Sequence, residues 1–299
     1  MAYTEIKKIK GKKYAYRVLS IRRGDKVSKK RVYLGVDLLK SKLAEKEQEA
    51  DRKLHLLSTL LSEEEKRELE NVKKEYLSEP KANLESRYEA FVSQFTYDST
   101  TIEGNTLTLQ ETSQLLFENI APRKSLREIN EVKNYKEAFD YLLKEKEDIS
   151  KKIILKLHEL VTKDTLKKEL VSQIGKYRDV QVYIRGVRWL PPKPEEVPGE
   201  MQVLLSWYSK NKKNLHPLIL TAYFHSAFET IHPFVDGNGR VGRLLLNFML
   251  RKHNCPMINI PNKKKYLYYK TLEAAQTKGD LRPLVKFLFD LIRQKSAKF

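Results

Sequence analysis

The sequence predicts a mainly α-helical bundle carrying a small β-hairpin flap and an N-terminal basic β-hairpin. Three observations carry that prediction. Beyond residue 38, apolar residues recur at helical spacing along most of the chain. Alternating apolar and polar residues are confined to the first 37 residues and to the stretch Val180 to Trp189. Eleven glycines and eleven prolines in 299 residues, with no repeat of fixed period, exclude collagenous, low-complexity and solenoid chains. Hydrophobic residues make up 40% of the chain beside 32% charged ones, and a chain of this length can bury roughly three quarters of its unfolded surface. A folded core follows. The longest uncharged apolar stretches, such as Leu244 to Leu246 and Phe248 to Leu250, fall far short of the ~20 residues that span a bilayer, so no membrane partner is expected. No apolar signal region follows Met1-Ala2-Tyr3-Thr4, which predicts a cytoplasmic location. Cys255 is the sole cysteine, which excludes an intrachain disulfide and a multi-thiolate metal site.

The elements follow in chain order. Residues 1–40 carry 13 Lys plus Arg against 3 acids, so this stretch holds +10 of the net +19. Within it Tyr14, Tyr16, Val18 and Ser20 alternate with Ala15, Arg17, Leu19 and Ile21, and Arg31-Val32-Tyr33-Leu34 follows a turn near Gly24-Asp25. This reads as a basic hairpin or small meander. Clustered cations on such a ribbon fit a nucleic-acid partner through counterion release; lysines that guard an exposed strand edge are the equal alternative. From Leu38 to Leu77 the composition turns to Leu, Glu and Lys without glycine, with Leu39, Leu43, Leu54, Leu57 and Leu61 at helical spacing. Two helices are expected, the second opened by a capping box at Ser62 and Glu65 and closed at Ser78-Glu79-Pro80. They would serve as a spacer or a homodimer contact. Further helices are expected over 84–96, 108–119, 125–144, 150–162, 197–210, 217–231, 239–252 and 266–277. The interruption at Val180 to Trp189, centred on Gly186 and ahead of Pro191-Pro192, predicts the flap. The expected organisation is therefore a basic extension over 1–37, a helical linker over 38–94 and a main domain over 95–299.

Chemistry concentrates in residues 231–243, Ile-His-Pro-Phe-Val-Asp-Gly-Asn-Gly-Arg-Val-Gly-Arg. The helix ending at Ile231 is apolar nearly all round, which marks it as buried, and its mate from Gly239 runs through Leu244, Leu245, Leu246, Phe248, Met249 and Leu250. Between them Gly237-Asn238-Gly239 removes side chains where the second helix presents its unpaired N–H groups and positive dipole end, which makes an anion cradle suited to phosphate. Arg240, Arg243, Asn247 and Arg251 share one helical stripe whose first turns face that cradle. Asp236 is a single hard carboxylate, suited to Mg²⁺ otherwise held by phosphate oxygens and water. His232, with an ordinary pKa of ~6.5, can take a proton from a hydroxyl near neutral pH. A metal site from His225, Glu229 and His232, spaced i, i+4 and i+7, is the weaker alternative because the pattern H-E-x-x-H is missing.

This segment resembles the signature of the Fic (filamentation induced by cyclic AMP) family of protein adenylyltransferases. The resemblance extends through Gly175-Lys176-Tyr177-Arg178, the flap, Pro191-Pro192 and Gly279-Asp280-Leu281-Arg282-Pro283, covering roughly residues 95–299. It implies a Fic-type bundle and transfer of AMP from ATP, with Mg²⁺, to a Ser, Thr or Tyr hydroxyl of a target protein. It implies His232 as the base and Asp236 as the metal ligand. Gly237, Asn238, Gly239, Arg240, Val241, Gly242 and Arg243 then form the nucleotide cradle, with Ile184, Tyr269 and Gln276 completing the nucleotide-binding set; packing is an equal role for Tyr269. The flap around Val182 to Val187 would hold an extended target segment by strand addition. Upstream, Ser99-Thr100-Thr101-Ile102-Glu103-Gly104-Asn105 is similar to the family's inhibitory motif. That likeness implies that Ser99, Glu103 and Gly104 form a brake, with Glu103 pairing Arg243 in place of the ATP γ-phosphate. Some relatives with this brake also remove AMP, which extends the expectation to de-AMPylation. Two alternatives remain open on the sequence: transfer of another nucleotide such as GMP or UMP, and a nucleotide-sensing regulator that binds nucleic acid through residues 1–40.

Overall fold

The computed structural model describes residues 2–9, 11–23, 26–78, 80–187 and 189–296. Strands β1 (Ala2–Ile9), β2 (Lys12–Arg23) and β3 (Lys26–Val36) form an antiparallel meander in the order β1-β2-β3. Of the hairpin or small meander expected, the meander is what forms, because the alternating Thr4, Ile6 and Lys8 pair with β2 in unbroken register from Ala2↔Leu19 to Ile9↔Lys12. The turn expected near Gly24-Asp25 lies outside the described residues. One face of the sheet rests on α1 (Lys40–Thr59): Ala15, Val32 and Leu34 pack with Ala50, and Thr4 and Arg17 meet Glu47. The opposite face meets the main body, where Lys210 lies over the Tyr16 ring.

Helix α2 (Glu63–Ser78) opens on the expected capping box, with Glu65 N donating to Ser62 Oγ at 3.1 Å and Ser62 N to the Glu65 carboxylate at 2.8 Å. Next, α3 runs over Leu84–Ile102, beyond the expected end at Thr96. Ser99, Thr100 and Thr101 favour turns in isolation, but Thr100 Oγ1 donates back to Thr96 O at 2.8 Å and Ser99 Oγ to Tyr135 Oη at 2.7 Å. Those bonds satisfy the hydroxyls within a buried helix. The segment 108–119 divides into α4 (Leu109–Ser113) and a π-helical turn, Gln114–Glu118, closed by left-handed Asn119.

Helices α5 (Leu126–Lys144), α6 (Lys151–Thr162), α7 (Val197–Asn211), α8 (Pro217–Ile231), α9 (Asn238–Lys252) and α10 (Lys265–Lys278) match the expected spans closely. A further helix, α11 (Arg282–Ser296), was not among the expected elements. Its buried Leu284, Val285, Leu288, Phe289 and Ile292 form an ordinary apolar stripe, which packs on α2, α8 and α10. At the centre, α9 is surrounded by α3, α5, α6 and α8, so even its polar Arg240, Arg243 and Asn247 are buried. No helix among the described residues is long and apolar enough to cross a membrane.

The flap differs from expectation. Its described residues form a loop with a turn at Arg185-Gly186, and they contribute no strand. Side-chain bonds stand where a ladder would be: Arg178 donates to Val180 O and Pro192 O, and the Gln181 amide to Val182 O and Pro191 O.

Candidate active site

The site is built on the α8–α9 junction. α8 ends at Ile231 because His232 adopts a left-handed conformation (φ 49°), its N–H closing on Phe228 O at 3.0 Å. That conformation is unfavourable for a non-glycine residue, so surrounding contacts must hold it. Arg178, 2% exposed, supplies them: Nε donates to His232 O at 2.8 Å, and its backbone N–H to Pro233 O at 2.9 Å. The same guanidinium reaches Val180 and Pro192, so one buried cation ties the histidine to both roots of the flap. Arg178 was legible in the sequence only as part of a motif; its role as a clamp needs the fold.

The imidazole orientation follows from its partners. His232 Nδ1 faces Glu229 O at 3.4 Å, an acceptor, so Nδ1 carries the hydrogen and Nε2 keeps its lone pair. Burial pushes the His232 pKa down to about 4, which keeps the ring neutral near pH 7.

The loop that follows is stapled from within. Asn238 Oδ1 accepts from Phe234 N at 2.9 Å and its Nδ2 donates to Phe234 O at 2.8 Å, so this side chain shapes the loop and leaves the backbone to form the cradle. His158 braces it from α6. The ring stacks on Phe234 at 3.9 Å, accepts from Gly175 N at Nδ1, and donates from Nε2 to Asp236 O at 3.2 Å. Gly237 must be glycine on two counts: φ is +80°, and a Cβ would stand 3.0 Å from Thr162 Cγ2.

Asp236 Oδ1 accepts from Gly237 N at 2.6 Å and from Arg240 Nη2 at 3.1 Å, and Oδ2 lies 3.7 Å from Arg127. Burial opposes its charge, but Arg240, the Gly237 N–H and Arg127 together hold the carboxyl below its ordinary pKa. Arg240 is 3% exposed; its Nε and Nη1 make no hydrogen bond among the described residues, and Nη1 lies 3.7 Å from the Glu131 carboxylate. Unsatisfied N–H groups on a buried guanidinium are costly, and they mark a place for an anion.

Arg243, also buried, donates from Nε to Ser99 Oγ at 2.7 Å, and from Nη2 to Ser99 O and Glu103 Oε1, both at 2.8 Å. Glu103 caps α3, and Gly104 turns the chain at φ +106°, a region that favours glycine. Asn105 anchors the turn to α5 through Glu128 O and the Glu131 carboxylate, both at 3.0 Å. The Glu103 carboxylate is thereby set on the first turn of α9: a Cβ built on Gly239 would lie 2.3 Å from Glu103 Oε1. A carboxylate thus occupies the helix N-terminus, where an incoming phosphate would compete for it.

The structure brings Ser99, Glu103, His232, Asp236, Gly237, Asn238, Gly239, Arg240 and Arg243 together. Val241 and Gly242 lie beneath them; a Cβ at Gly242 would meet Glu229 Oε1 at 2.2 Å, so this glycine permits close α8–α9 packing. Asn247 and Arg251, further along the stripe, bond to backbone at Ile258, Leu142 and Leu143 and serve packing. Tyr269 is partly exposed beside Lys265 and Tyr268, while Gln276 lines a cavity of about 310 Å³ with Ile231, Ala275 and Gly279. Ile184 is half-buried in the flap loop, its carbonyl accepting from Val187 N at 3.5 Å. His225 spends both nitrogens on Gly242 O and Tyr268 Oη, and no cluster of three His, Cys, Asp or Glu residues among the described residues could hold a metal.

Residues 148–250 match the Fic/DOC family profile. These residues form a Fic domain. The chain is 39% identical over 204 residues to the protein adenylyltransferase Fic of Drosophila melanogaster, spanning 66% of this chain and 40% of that one. The protein of the same name from Nematostella vectensis is 36% identical over 201 residues, 65% of this chain and 45% of that one. The chain thus spans about two fifths of the length of the curated relatives it matches. Among solved structures, a Fic-domain-containing signaling protein from Bacteroides thetaiotaomicron superposes with a TM-score of 0.70 at 28% identity, covering 77% of this chain and 94% of that one. A Fic-1 fragment from C. elegans gives 0.68 at 27% identity, covering 88% and 77%.

The neutral histidines of this Fic domain set its acid stability. Burial pushes His158, His216 and His232 down to about 4 and His225 to about 3, from an ordinary 6.5. Below pH 6.5 the unfolded chain takes up protons that the folded chain refuses until about pH 4, so their stabilising effect is full above 6.5 and is lost as pH falls toward 4. Glu229 works oppositely. Burial raises it to about 8 from 4.5, so its contribution is full below 4.5 and fades as pH rises through 8. Four histidines outweigh one glutamate, and the melting temperature is expected to drop between pH 7 and pH 5 at fixed ionic strength. A flat profile over that interval would contradict the buried, neutral assignment.

Proposed function

We propose that this Fic domain transfers AMP from ATP to a hydroxyl of a protein target, and that Glu103 restrains the reaction. The observation that carries the reading is the Glu103 carboxylate set on Gly239 at the start of α9 and paired with Arg243 at 2.8 Å. It marks an anion site whose built-in occupant a triphosphate must displace.

The chemistry follows from the residues. The target oxygen attacks the α-phosphorus, the bond from that phosphorus to the bridging oxygen breaks, and pyrophosphate leaves. His232 Nε2 takes the hydroxyl proton as the new bond forms, and it is neutral and available throughout the physiological range. The backbone N–H groups from Gly237 to Gly239, with Arg240 and Arg243, hold the phosphates, where fixed donors stabilise charge with little reorganisation. The Arg240 N–H groups that make no hydrogen bond fit that task. Asp236 fits Mg²⁺ carried in with the nucleotide, since it is one ionised carboxylate facing a cradle that phosphate oxygens would complete. The ion would neutralise charge on the departing pyrophosphate. Ile184, Tyr269 and Gln276 are assigned to the nucleoside end, and the flap to an extended segment of the target.

The cradle contacts phosphates, so the base is the open choice. Mass spectrometry of Glu103→Gly protein given an equimolar mixture of ATP, GTP and UTP with Mg²⁺ should show self-modification by an AMP-sized increment. A GMP- or UMP-sized increment would redirect the assignment to another nucleotide, and no increment on protein or added targets would remove the transferase reading.

A further inference from the structure

We propose that the cavity enclosed by β3, α1, α7 and α8 is a second ligand site, which takes a small organic amine. The cavity measures about 310 Å³, at the lower end of the range of small-molecule sites. Tyr33 from β3, Leu57 from α1 and the adjoining Leu60 contribute one part of its wall. Those three residues precede the segment 148–250 that matches the family profile. Across from them α7 contributes Glu200 and Trp207, and α8 contributes Tyr223. None of residues 232–243 lines the cavity, and of the residues assigned to the nucleoside only Gln276 does. The cavity therefore borders the nucleotide site without being built from it.

Its chemistry selects a cation. The described lining residues include two acids and no Lys, Arg or His, an acidic enclave in a chain of net charge +19. Asp280 is already engaged, since its Oδ1 accepts from Arg282 N at 3.1 Å where α11 begins. Glu200 is half-buried and makes neither a hydrogen bond nor an ion pair among the described residues. Burial, and after it the like charge of Glu196, holds its carboxyl above the ordinary value. A carboxylate withdrawn from water without a partner is costly, and an ammonium group brought to it offsets that cost. Aromatic faces attract the same group, and Tyr33, Trp207 and Tyr223 share the cavity with Glu200. Burial, and then the Glu200 charge, raises the hydroxyls of Tyr33 and Tyr223, so the carboxylate lies near both rings. A second observation points to a ligand: Trp207 is 4% exposed, and its indole Nε1 makes no hydrogen bond among the described residues. An acceptor on the ligand would satisfy that donor. The ligand class is thus an amine whose apolar body carries a hydrogen-bond acceptor. None of this depends on the AMP-transfer reading.

The test uses the full chain and tyramine as the probe, with tyrosol and para-hydroxyphenylacetate as its neutral and anionic counterparts of similar size. Calorimetry should show one tyramine bound per chain, with a Kd between about 1 μM and 1 mM. Tyrosol should bind about 10- to 100-fold more weakly, the value of a contact between charged groups, and para-hydroxyphenylacetate more weakly still. Glu200→Gln should erase the preference for tyramine over tyrosol without lowering the melting temperature, because it removes a half-buried charge that has no partner. If that variant fails to fold, the ranking on wild-type protein decides, together with Ala227→Leu, which fills part of the cavity and should abolish tyramine binding. Saturating ATP with Mg²⁺ should leave tyramine bound. Absence of tyramine binding, equal binding of the three compounds by wild type, a preference that survives Glu200→Gln, or displacement by ATP would each overturn the proposal.

Discussion

Replacing Glu103 with glycine is expected to raise the rate of AMP transfer by about 10- to 100-fold, the value of a charge-assisted contact of ~1.5–3 kcal/mol. The guanidinium of Arg243 is shared in the resting protein between Ser99 and Glu103. Removing the carboxylate leaves the two bonds to Ser99, which hold the arginine in place, and frees Nη2 to meet a phosphate. It also clears the first turn of α9, where Glu103 Oε1 lies closest to Gly239. Glutamine at this position should fall between the two, since the amide oxygen still accepts from Arg243 but lacks the charge. Initial rates of self-modification for wild type, Glu103→Gln and Glu103→Gly give the ranking, and equal rates would dispose of the brake. The same three proteins test the reverse reaction. If Glu103 aligns a water against the AMP ester, wild type releases AMP from a modified target and Glu103→Gly does not; release at one rate by both would assign no reversal to this carboxylate.

Removing the base is the second large effect. His232→Ala is expected to lower transfer by about 10²- to 10⁴-fold, the usual contribution of a positioned general base. ATP affinity should change little, because the phosphate donors lie in residues 237–243 and the imidazole contributes none of them. The left-handed backbone at His232 complicates the variant, since alanine in that conformation costs about 1–2 kcal/mol. His232→Asn resolves this: asparagine tolerates the conformation and cannot act as the base. Both variants should bind ATP by calorimetry and fail to transfer AMP. Full activity in either would remove His232 from the reaction. The pH profile offers an independent readout. With the imidazole pushed down to about 4, kcat/KM should show no inflection from this group between pH 6 and 8, whereas an unperturbed histidine would titrate near 6.5.

Much of the site was legible because it is local. Residues 232–243 lie in one loop and one helix turn, so their proximity is fixed by connectivity, and the glycines announce a backbone that must turn and must be approached. Most helices were legible for a similar reason. The apolar stripes of α5, α6 and α8 are long, and capping residues such as Ser125 and Ser150 bond to the backbone N–H three residues on. What failed was what depends on partners. The flap alternates like a strand, yet Arg178 and Gln181 take its carbonyls and no ladder forms. α3 outruns its sequence limit because Thr96 and Tyr135 absorb hydroxyls that would otherwise break it.

The sequence by itself determined the helical body, the glycine-lined entry to α9 and the residue types that could move a proton and hold phosphate, because periodicity, capping and connectivity act over a few residues. The pairing of Glu103 with Arg243, 140 residues apart, was expected only through the family resemblance, and the tertiary structure supplies the hydrogen bond itself. That structure alone decided that Arg178 holds the strained backbone at His232, that burial lowers that imidazole, and that two buried nitrogens of Arg240 make no hydrogen bond among the described residues. The reason is physical: desolvation and long-range pairing arise from packing, and packing places side by side groups whose distance no local pattern encodes.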